Sequence, residues 1–315
     1  MNSKYLILGA TGSIGYAFTH TLLNEKVQAT LLVRNREKAE KLFGKNDLLE
    51  IEEGDVTDLE KLKTVSKDKQ FIFHGINYPY NLWEGNMEKA TQNVIEAASQ
   101  NKATIVFPGN IYEFGNVMEI TEEMVPDPET KKGKIRLELF NMLKQAAEDG
   151  KCKVIFVRLP DFFGPNVTNG LIKPVFGNAA KKKAVNWLVS ANVPHQFVFT
   201  PDAARVMYLL SKKENLPAFV NYNFSGYEVS SIKELAKTIS KLTGGPAKVS
   251  VIPKWLINIL ALFNPIIKEL KENFYQFENN VRLNDDKLKK DLPDFKPTPI
   301  EEAIRETVEW FRNNP

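Results

Sequence analysis

Short apolar runs alternate with longer amphipathic segments along the first half of the chain. The apolar runs have the length of buried strands, and the segments between them carry apolar residues at the spacing of a helix. Strands are predicted at residues 5–8, 30–33, 48–52, 71–73, 104–107 and 154–157, and helices at residues 14–24, 36–43, 59–65, 86–99 and 133–148. Such alternation builds right-handed βαβ units around a parallel sheet. The sequence therefore predicts an α/β fold of the Rossmann type, with a doubly wound parallel sheet.

The pattern changes after about residue 163, where proline and glycine interrupt shorter pieces such as Gly164-Pro165. A capped helical pattern from Thr200 to Arg205 then indicates a return to the first unit. We predict a Rossmann domain over residues 1–163 with 196–213 returning to it, and a smaller C-terminal α/β substrate lobe over residues 164–195 and 214–315.

Composition narrows the partners. The chain of 315 residues is 43% hydrophobic and 26% charged with a net charge of +3, which is typical of a globular protein and excludes a disordered or fibrous one. Its densest basic runs, 181–183 and 287–290, are short, so we interpret them as solvated faces and expect no nucleic-acid partner. The single cysteine, Cys152, excludes an intrachain disulfide and lacks zinc-site spacing. We interpret it as a core residue in a reducing compartment, and we expect no metal.

The most apolar segment, residues 255–263, is about half the roughly 20 residues needed to span a bilayer and is interrupted by Asn258. We interpret it as a buried helix or a lid over the site, and we expect no membrane association. The N-terminus lacks the basic, apolar and small-residue order of a signal peptide. The expected location is therefore the cytoplasm.

The strongest motif is a glycine-rich loop, Gly-Ala-Thr-Gly-Ser-Ile-Gly, between the first predicted strand and the first predicted helix. Without a Cβ, Gly9 and Gly12 allow a tight turn and close approach to a pyrophosphate, and Gly15 allows the helix to pack on the strand. The helix N-terminus offers free N–H groups to anionic oxygens. The loop predicts dinucleotide binding, against the alternative of a merely tight structural turn. Its predicted cofactor-binding residues are Gly9, Thr11, Gly12, Ser13, Ile14 and Gly15.

The end of the second predicted strand carries Arg34 and no carboxylate. An acidic residue there would hold both ribose hydroxyls of NAD and repel a 2′-phosphate, whereas a guanidinium pairs with a phosphate in a fork. We therefore predict NADP(H), with NAD as the second choice. The alternative is that Arg34 is simply an exposed residue at the start of a surface helix.

Further motifs accompany the glycine loop: Gly-Asp-Val at 54–56, Phe-His-Gly at 73–75, Asn86, Asn-Val at 93–94, and later segments at 107–115, 158–165 and 200–205. With them the chain resembles the extended short-chain dehydrogenase/reductase superfamily, and within it the NAD-dependent epimerase/dehydratase group. The resemblance implies that Asp55 and Val56 lie at the adenine. It also implies that His74, Gly75 and Asn77 line the ribose and nicotinamide side, and that the C-terminal lobe holds the substrate pocket.

The chain departs from that family where the chemistry is expected. Such enzymes carry a Tyr-x-x-x-Lys on the helix before the sixth strand, where the tyrosine exchanges a proton with substrate and the lysine holds the ribose. Alignment puts Lys132 at the tyrosine and Arg136 at the lysine. The Ser or Thr after the fifth strand is also replaced, since that strand runs into Pro108 and Asn110. The loss of these residues is a feature of atypical members of the superfamily.

Four residues are candidates for the lost chemistry. Arg136 can keep the electrostatic and ribose-holding role but is a poor acid, and Lys132 can act as an acid if burial lowers its pKa. Tyr112 is the nearest remaining phenol in sequence, and Asn110 can donate a hydrogen bond to a carbonyl. Their structural alternatives are a surface salt bridge for Arg136, a solvated side chain for Lys132, a core aromatic for Tyr112 and a turn residue for Asn110.

Two functions remain open. The first is an NADP(H)-dependent oxidoreductase or epimerase-like enzyme acting on a small carbonyl or hydroxyl compound; the second is a non-catalytic NADP(H)-binding redox sensor. Asp161 stands where many nucleotide-sugar enzymes of the group carry Asn, and a carboxylate would repel a diphosphate unless it faces away and caps a turn. The family implies a possible homodimer through the helices at 86–99 and 133–148.

Overall fold

The computed structural model of the chain describes residues 4–263 and 265–314. Seven parallel strands form the central sheet in the order β11-β7-β5-β4-β1-β2-β3. The strands are β1 (Tyr5–Leu8), β2 (Ala29–Val33), β3 (Leu49–Glu53), β4 (Phe71–His74), β5 (Thr104–Gly109), β6 (Glu119–Ile120), β7 (Lys153–Arg158), β8 (Asp161–Phe163), β9 (Val185–Leu188), β10 (His195–Phe199), β11 (Phe219–Asn223), β12 (Tyr227–Val229), β13 (Val249–Ile252) and β14 (Arg282–Leu283). The α-helices are α1 (Ser13–Asn24), α2 (Arg36–Phe43), α3 (Leu59–Ser66), α4 (Asn86–Ser99), α5 (Lys131–Glu148), α6 (Asn178–Ala180), α7 (Thr200–Ser211), α8 (Ile232–Thr243), α9 (Lys254–Leu260), α10 (Pro265–Leu270), α11 (Tyr275–Glu278), α12 (Asp286–Asp291) and α13 (Ile300–Asn313).

Helices cover both faces of the sheet. α1 and α7 pack together on one face, where Phe18 and Met207 are fully buried. α3, α4 and α5 cover the other face with buried residues such as Val94 and Leu139. Because both faces are covered, β1 and β2 are buried along their whole length, which explains why apolar residues dominate both strands.

The predicted fold is confirmed. Every strand and helix predicted in the first 160 residues is present, and the bounds differ by at most two residues. The seventh strand, β11, was not predicted. It lies at the edge of the sheet beside β7 and comes from the segment that we assigned to the second lobe.

Among the described residues there are three further short sheets: β12-β10-β8 and β13-β9 come from segments after residue 160, and in the third β14 pairs with β6 from the N-terminal half. The core of the smaller C-terminal part is rich in aromatic residues, among them Phe163, Trp187 and Phe197. α8 packs an apolar face on this core and begins at Ser231, whose hydroxyl accepts the N–H of Glu234 at 3.3 Å. This C-terminal part lies beside the carboxyl ends of the central strands.

Two interpretations of single segments can be compared with the structure. Cys152 is buried just before β7, as expected of a core residue. Burial raises the pKa of its thiol to about 11. The interpretation of residues 255–263 as a buried helix is wrong, because Trp255, Leu262 and Phe263 are 64%, 79% and 83% exposed. Only Ile257 and Ala261 of that segment are buried.

Within the described residues, no helix combines the length and the apolar character needed to cross a membrane.

Candidate active site

A cavity of about 670 Å³ lies at the carboxyl ends of the central strands. It spans the point between β1 and β4 where the strand order reverses, which is where open α/β sheets bind their ligands. All the predicted site residues except Gly15 and Lys132 line it. A second cavity of about 380 Å³ is lined by residues of α1, α7 and α13. None of the predicted site residues lines this second cavity.

The glycine loop connects β1 to α1 with very little space. Gly9 has a φ of +79°, and a Cβ there would lie 2.4 Å from the carbonyl oxygen of Gly75. A Cβ on Gly15 would lie 2.2 Å from the carbonyl oxygen of Gly9, so this glycine serves the packing of α1 on the loop. Two of the three glycines are therefore required by the turn itself, and that turn brings the start of α1 to the cavity.

The start of α1 offers unpaired donors. Gly12 precedes the helix, no side chain caps it, and its first turn carries no acidic residue. The first N–H groups of a helix have no partner within the helix, and the helix dipole places a partial positive charge there. This end of α1, with Thr11, Ser13 and Ile14 on the cavity wall, suits an anionic group.

A turn from the C-terminal part closes over the glycine loop. The Ser13 hydroxyl donates to the carbonyl oxygen of Asn166 at 3.3 Å, and the Asn166 amide donates to the carbonyl oxygen of Thr11 at 3.3 Å. Asn166 has a φ of +61°, which asparagine tolerates better than most residues. This contact was not predicted, because nothing local in the sequence relates residues that are more than 150 positions apart.

Arg34 lies at the end of β2 with most of its side chain exposed, and its Nε is 3.9 Å from Oδ2 of Asp55. Burial opposes ionisation of Asp55, but two hydrogen bonds from Thr57 and the charge of Arg34 outweigh it and hold the pKa of that carboxyl below its ordinary value. Val56 is buried beside it, and its carbonyl oxygen accepts the amide of Asn93 at 2.9 Å. Lys38 adds a second cation to this end of the cavity.

The loop after β4 forms the opposite wall. His74 is buried, its Nε2 pairs with the Thr91 hydroxyl at 3.1 Å, and its Nδ1 has no partner among the described residues. Burial, reinforced by the charge of Arg136, lowers the pKa of His74 to about 3, so the ring is neutral at physiological pH. Gly75 and the exposed Asn77 line the cavity after it.

Arg136 projects from α5 into the cavity, and its guanidinium lies 4.4 Å from the centre of the Trp83 ring. Burial lowers the pKa of Arg136, against the opposing effect of Tyr112 and Glu113. Its Nε is buried without a hydrogen-bond partner among the described residues. An unpaired buried guanidinium donor is costly, so this atom fits a ligand with an acceptor oxygen.

Tyr112 and Tyr80 form a pair of phenols on the cavity wall, with their hydroxyl oxygens 3.0 Å apart. Burial is the main reason that the pKa of each is raised, and the Tyr112 value lies well above its ordinary range. Asn110 lines the cavity beside them, and its side-chain oxygen accepts the backbone N–H of Tyr112 at 3.2 Å. Asn110 thus stabilises the turn that carries Tyr112, as its structural alternative supposed.

Lys132 lies one turn before Arg136 on α5 and outside the cavity wall. It is buried, its ammonium forms an ion pair with Glu269, and its backbone N–H donates to Oε2 of Glu272 at 3.2 Å. The structure therefore separates the two cations that the alignment put on the tyrosine and lysine positions.

Asp161 lines the cavity from β8, and its side chain caps no turn among the residues that the structure describes. The Nε2–H of His195 donates to its Oδ2 at 2.8 Å. Tyr80 and Trp83 also line the cavity, and His195 contacts it through Asp161; none of these three was predicted from the sequence. Nothing in the sequence near Asp161 indicates His195, because His195 lies on a different strand. The two residues meet because β8 and β10 pair side by side.

A parallel sheet with a glycine loop after its first strand and a cavity at its switch point defines the class of Rossmann-type α/β proteins. The chain belongs to the NAD dependent epimerase/dehydratase family, whose sequence profile matches residues 5–224. The resemblance drawn from the sequence is confirmed, and the family is one of enzymes.

Several solved structures share the fold across almost the whole chain. A dTDP-glucose 4,6-dehydratase from Bacillus anthracis str. Ames in complex with NAD is 18% identical, covers 98% of this chain and 96% of its own, and gives a TM-score of 0.79. A UDP-glucuronic acid 4-epimerase from Bacillus cereus in complex with UDP-glucuronic acid and NAD is 14% identical, covers 99% of both chains and gives 0.78. MoeE5 in complex with UDP-glucose and NAD is 18% identical, covers 99% of both chains and gives 0.76. At these identities the likeness shows the fold alone. No curated protein matches the sequence.

Proposed function

We propose that the protein is an NADP(H)-dependent oxidoreductase or epimerase-like enzyme of the atypical extended short-chain dehydrogenase/reductase class, acting on a small carbonyl or hydroxyl compound. One observation carries the proposal. A single cavity joins the glycine loop and Arg34 at one end to Arg136 and the Tyr80–Tyr112 pair at the other. Its lining thus offers groups for a dinucleotide at one end and for a small reactant at the other.

The residues present fit a nicotinamide dinucleotide. The uncapped start of α1 suits the pyrophosphate, and the unpaired Nε of Arg136 suits an oxygen of the second ribose. The neutral His74 has an unpaired Nδ1 on the same side. When bound, the nicotinamide supplies or accepts the hydride, and the chain's own residues bind and orient the reactants.

Arg34 supports NADP(H) over NAD(H). Its exposed guanidinium, with Lys38 beside the same end of the cavity, offers two cations to a 2′-phosphate. The Asp55 carboxylate lies 3.9 Å from the Arg34 guanidinium, and its Oδ1 already accepts hydrogen bonds from the backbone N–H and the hydroxyl of Thr57. MoeE5 and the dTDP-glucose 4,6-dehydratase were solved in complex with NAD, and we expect this chain to differ from them in its cofactor preference.

We expect Tyr80 and Tyr112 to polarise the substrate oxygen. A phenol is protonated at neutral pH, and burial raises the pKa of Tyr80 and of Tyr112 further, so the pair can donate a hydrogen bond to a carbonyl. The guanidinium of Arg136 adds positive charge beside them. We do not assign the acid to Lys132, because its ammonium is paired with Glu269 away from the cavity.

The second candidate is a non-catalytic NADP(H)-binding redox sensor. One observation favours it: the helix position where the family carries its proton-exchanging tyrosine is occupied by a lysine that does not line the cavity. A homodimer through α4 and α5 stays a prediction, and so does the division into two domains.

A fluorescence titration of the pure protein with NADPH and NADH tests the proposal, followed by incubation of the NADPH complex with a panel of small aldehydes, ketones and sugars. Tighter binding of NADPH, with its oxidation by a panel compound, is the expected result. Binding without turnover across the panel would favour the sensor, and failure to bind either nucleotide would overturn both functions.

A further inference from the structure

The part of the cavity wall that the C-terminal half contributes is apolar and bears one charge. Its large side chains are those of Phe162, Leu171, Leu188 and Phe277. Asn169, Asn273 and Gln276 add neutral polar groups. Among the described residues after position 158 that line the cavity, Asp161 is the one ionisable side chain.

The Asp161 carboxylate is held in place. His195 donates to its Oδ2 at 2.8 Å from the neighbouring strand, and the His195 ring is itself fixed by stacking with Phe277 and edge contact with Trp187. The carboxylate of Asp161 is mostly buried, with 22% of its side chain exposed. A group fixed in this way presents its charge at a defined point of the wall.

The cations of the cavity lie elsewhere. Arg34 lies at the end of β2, and Lys38 lies on α2. Arg136, on α5, lies over the ring of Trp83. In the proposed function Arg34 and Lys38 face the cofactor, and Arg136 stands between the second ribose and the Tyr80–Tyr112 pair. A nucleotide-sugar diphosphate beside the cofactor would meet the Asp161 carboxylate with no counter-cation from the C-terminal half, and like charges at short range in a partly dry site repel strongly.

Resting on the proposed function, we propose that the substrate of this cavity carries no phosphate. It presents a cation or a hydrogen-bond donor to Asp161 and packs an apolar body against Phe162, Leu188 and Phe277. Asp161 is thus the specificity-determining residue, and His195 is a positioning residue that acts through it. The chain keeps the fold of sugar-nucleotide enzymes but selects a different class of substrate.

A charge series of phenyl ketones tests this inference. The probes are phenacyltrimethylammonium, its uncharged analogue of the same shape 3,3-dimethyl-1-phenylbutan-1-one, and the anion 3-benzoylpropanoate, compared with UDP and UDP-glucose. Dissociation constants are measured by calorimetry on the protein saturated with NADP⁺, so that a ketone binds without turnover. We expect the cation to bind at least about tenfold more tightly than the anion, and UDP and UDP-glucose not to bind at millimolar concentration.

Asp161→Asn should bring the cation and the anion within about threefold of each other, because it removes the charge and keeps the shape. Asp294→Asn, the same substitution at an exposed position outside the cavity, should leave the tenfold difference unchanged. Binding of UDP-glucose to the native protein, or anion binding as tight as cation binding, would overturn the inference. A failure of the proposed function is distinguishable, since it appears already in the titration with NADP⁺ alone.

Discussion

The hydroxyl oxygens of Tyr80 and Tyr112 lie 3.0 Å apart on the wall of the cavity, so one phenol donates its proton to the other and a single O–H is left to face the cavity. The two residues come from different loops, one after β4 and one after β5. The Trp83 ring lies near-parallel to that of Tyr112, and Arg136 lies over Trp83. A neutral donor and a fixed positive charge thus stand together at the site where a substrate oxygen is proposed to bind.

Replacing Tyr112 by Phe should lower kcat for NADPH oxidation by about a hundredfold, since a positioned proton donor typically contributes that much or more. NADPH affinity should not change, because the phenol is proposed to contact the substrate and not the dinucleotide. Steady-state kinetics with the best panel compound provide the measurement. Tyr275→Phe is the matched control, because Tyr275 is a phenol of raised pKa outside the cavity wall. Full turnover of the Tyr112→Phe enzyme would remove Tyr112 as the donor.

Replacing Arg34 by Asp should weaken NADPH binding by about ten- to a hundredfold and change NADH binding by less than about threefold. The reason is that a carboxylate repels the 2′-phosphate but accepts ribose hydroxyls. Fluorescence titration with both nucleotides measures the two constants. Arg36→Asp, two positions further along and outside the cavity, should alter neither constant. Equal loss of both nucleotides would contradict the role of Arg34 as selector.

The central fold could be predicted from the sequence because its signals are local. Parallel strands covered on both faces are predominantly apolar, and the glycine loop follows the first of them. The edge strand β11 was missed because its sequence, Phe-Val-Asn-Tyr-Asn, mixes apolar with polar residues. Only part of this strand is buried. The side-chain amide of its Asn223 donates to the carbonyl oxygens of Ile120 and Asn284, each at 3.0 Å.

The proposed cofactor end of the site was open to prediction, since all of its predicted residues except Arg136 on α5 lie at or shortly after the end of a predicted strand. The substrate end was not. Asp161 and His195 come together because β8 and β10 pair, and no sequence spacing encodes that. Lys132 was assigned by alignment to a catalytic position, but its contact with Glu269 depends on where α10 packs, which the sequence does not reveal.

A buried ion pair supports the turn that carries Tyr112. Oε1 of Glu113 accepts the Nε–H of Arg158 at 2.8 Å, and both side chains are 1% exposed. Glu113→Gln should lower the free energy of unfolding by about 3 kcal/mol, because it leaves the Arg158 charge buried without its partner. Urea denaturation measures the change. The double variant Glu113→Leu with Arg158→Leu should be less destabilised than Glu113→Gln alone, since it removes both buried charges. A single variant as stable as the native protein would contradict this account.

His74 should make the protein less stable in mild acid. Burial lowers its pKa from 6.5 to about 3 in the folded state, so between these values the unfolded chain binds a proton that the folded chain does not. The stability contributed by the neutral ring is fully present above about pH 6.5 and is lost as the pH falls towards the folded value, by about 1.4 kcal/mol for each pH unit. Between about pH 7 and pH 5 the loss due to this residue is therefore about 2 kcal/mol.

His74→Gln isolates that contribution, because glutamine can still donate to the Thr91 hydroxyl but has no proton to bind in this range. The free energy of unfolding of both proteins, measured in urea at about pH 7 and about pH 5 without nucleotide, should fall by about 2 kcal/mol less in the variant. Other titrating groups affect the two proteins equally, so the difference between the two slopes belongs to His74. Identical slopes would mean that the imidazole is protonated in the folded state, and a charged ring would then stand beside Arg136 on the cavity wall.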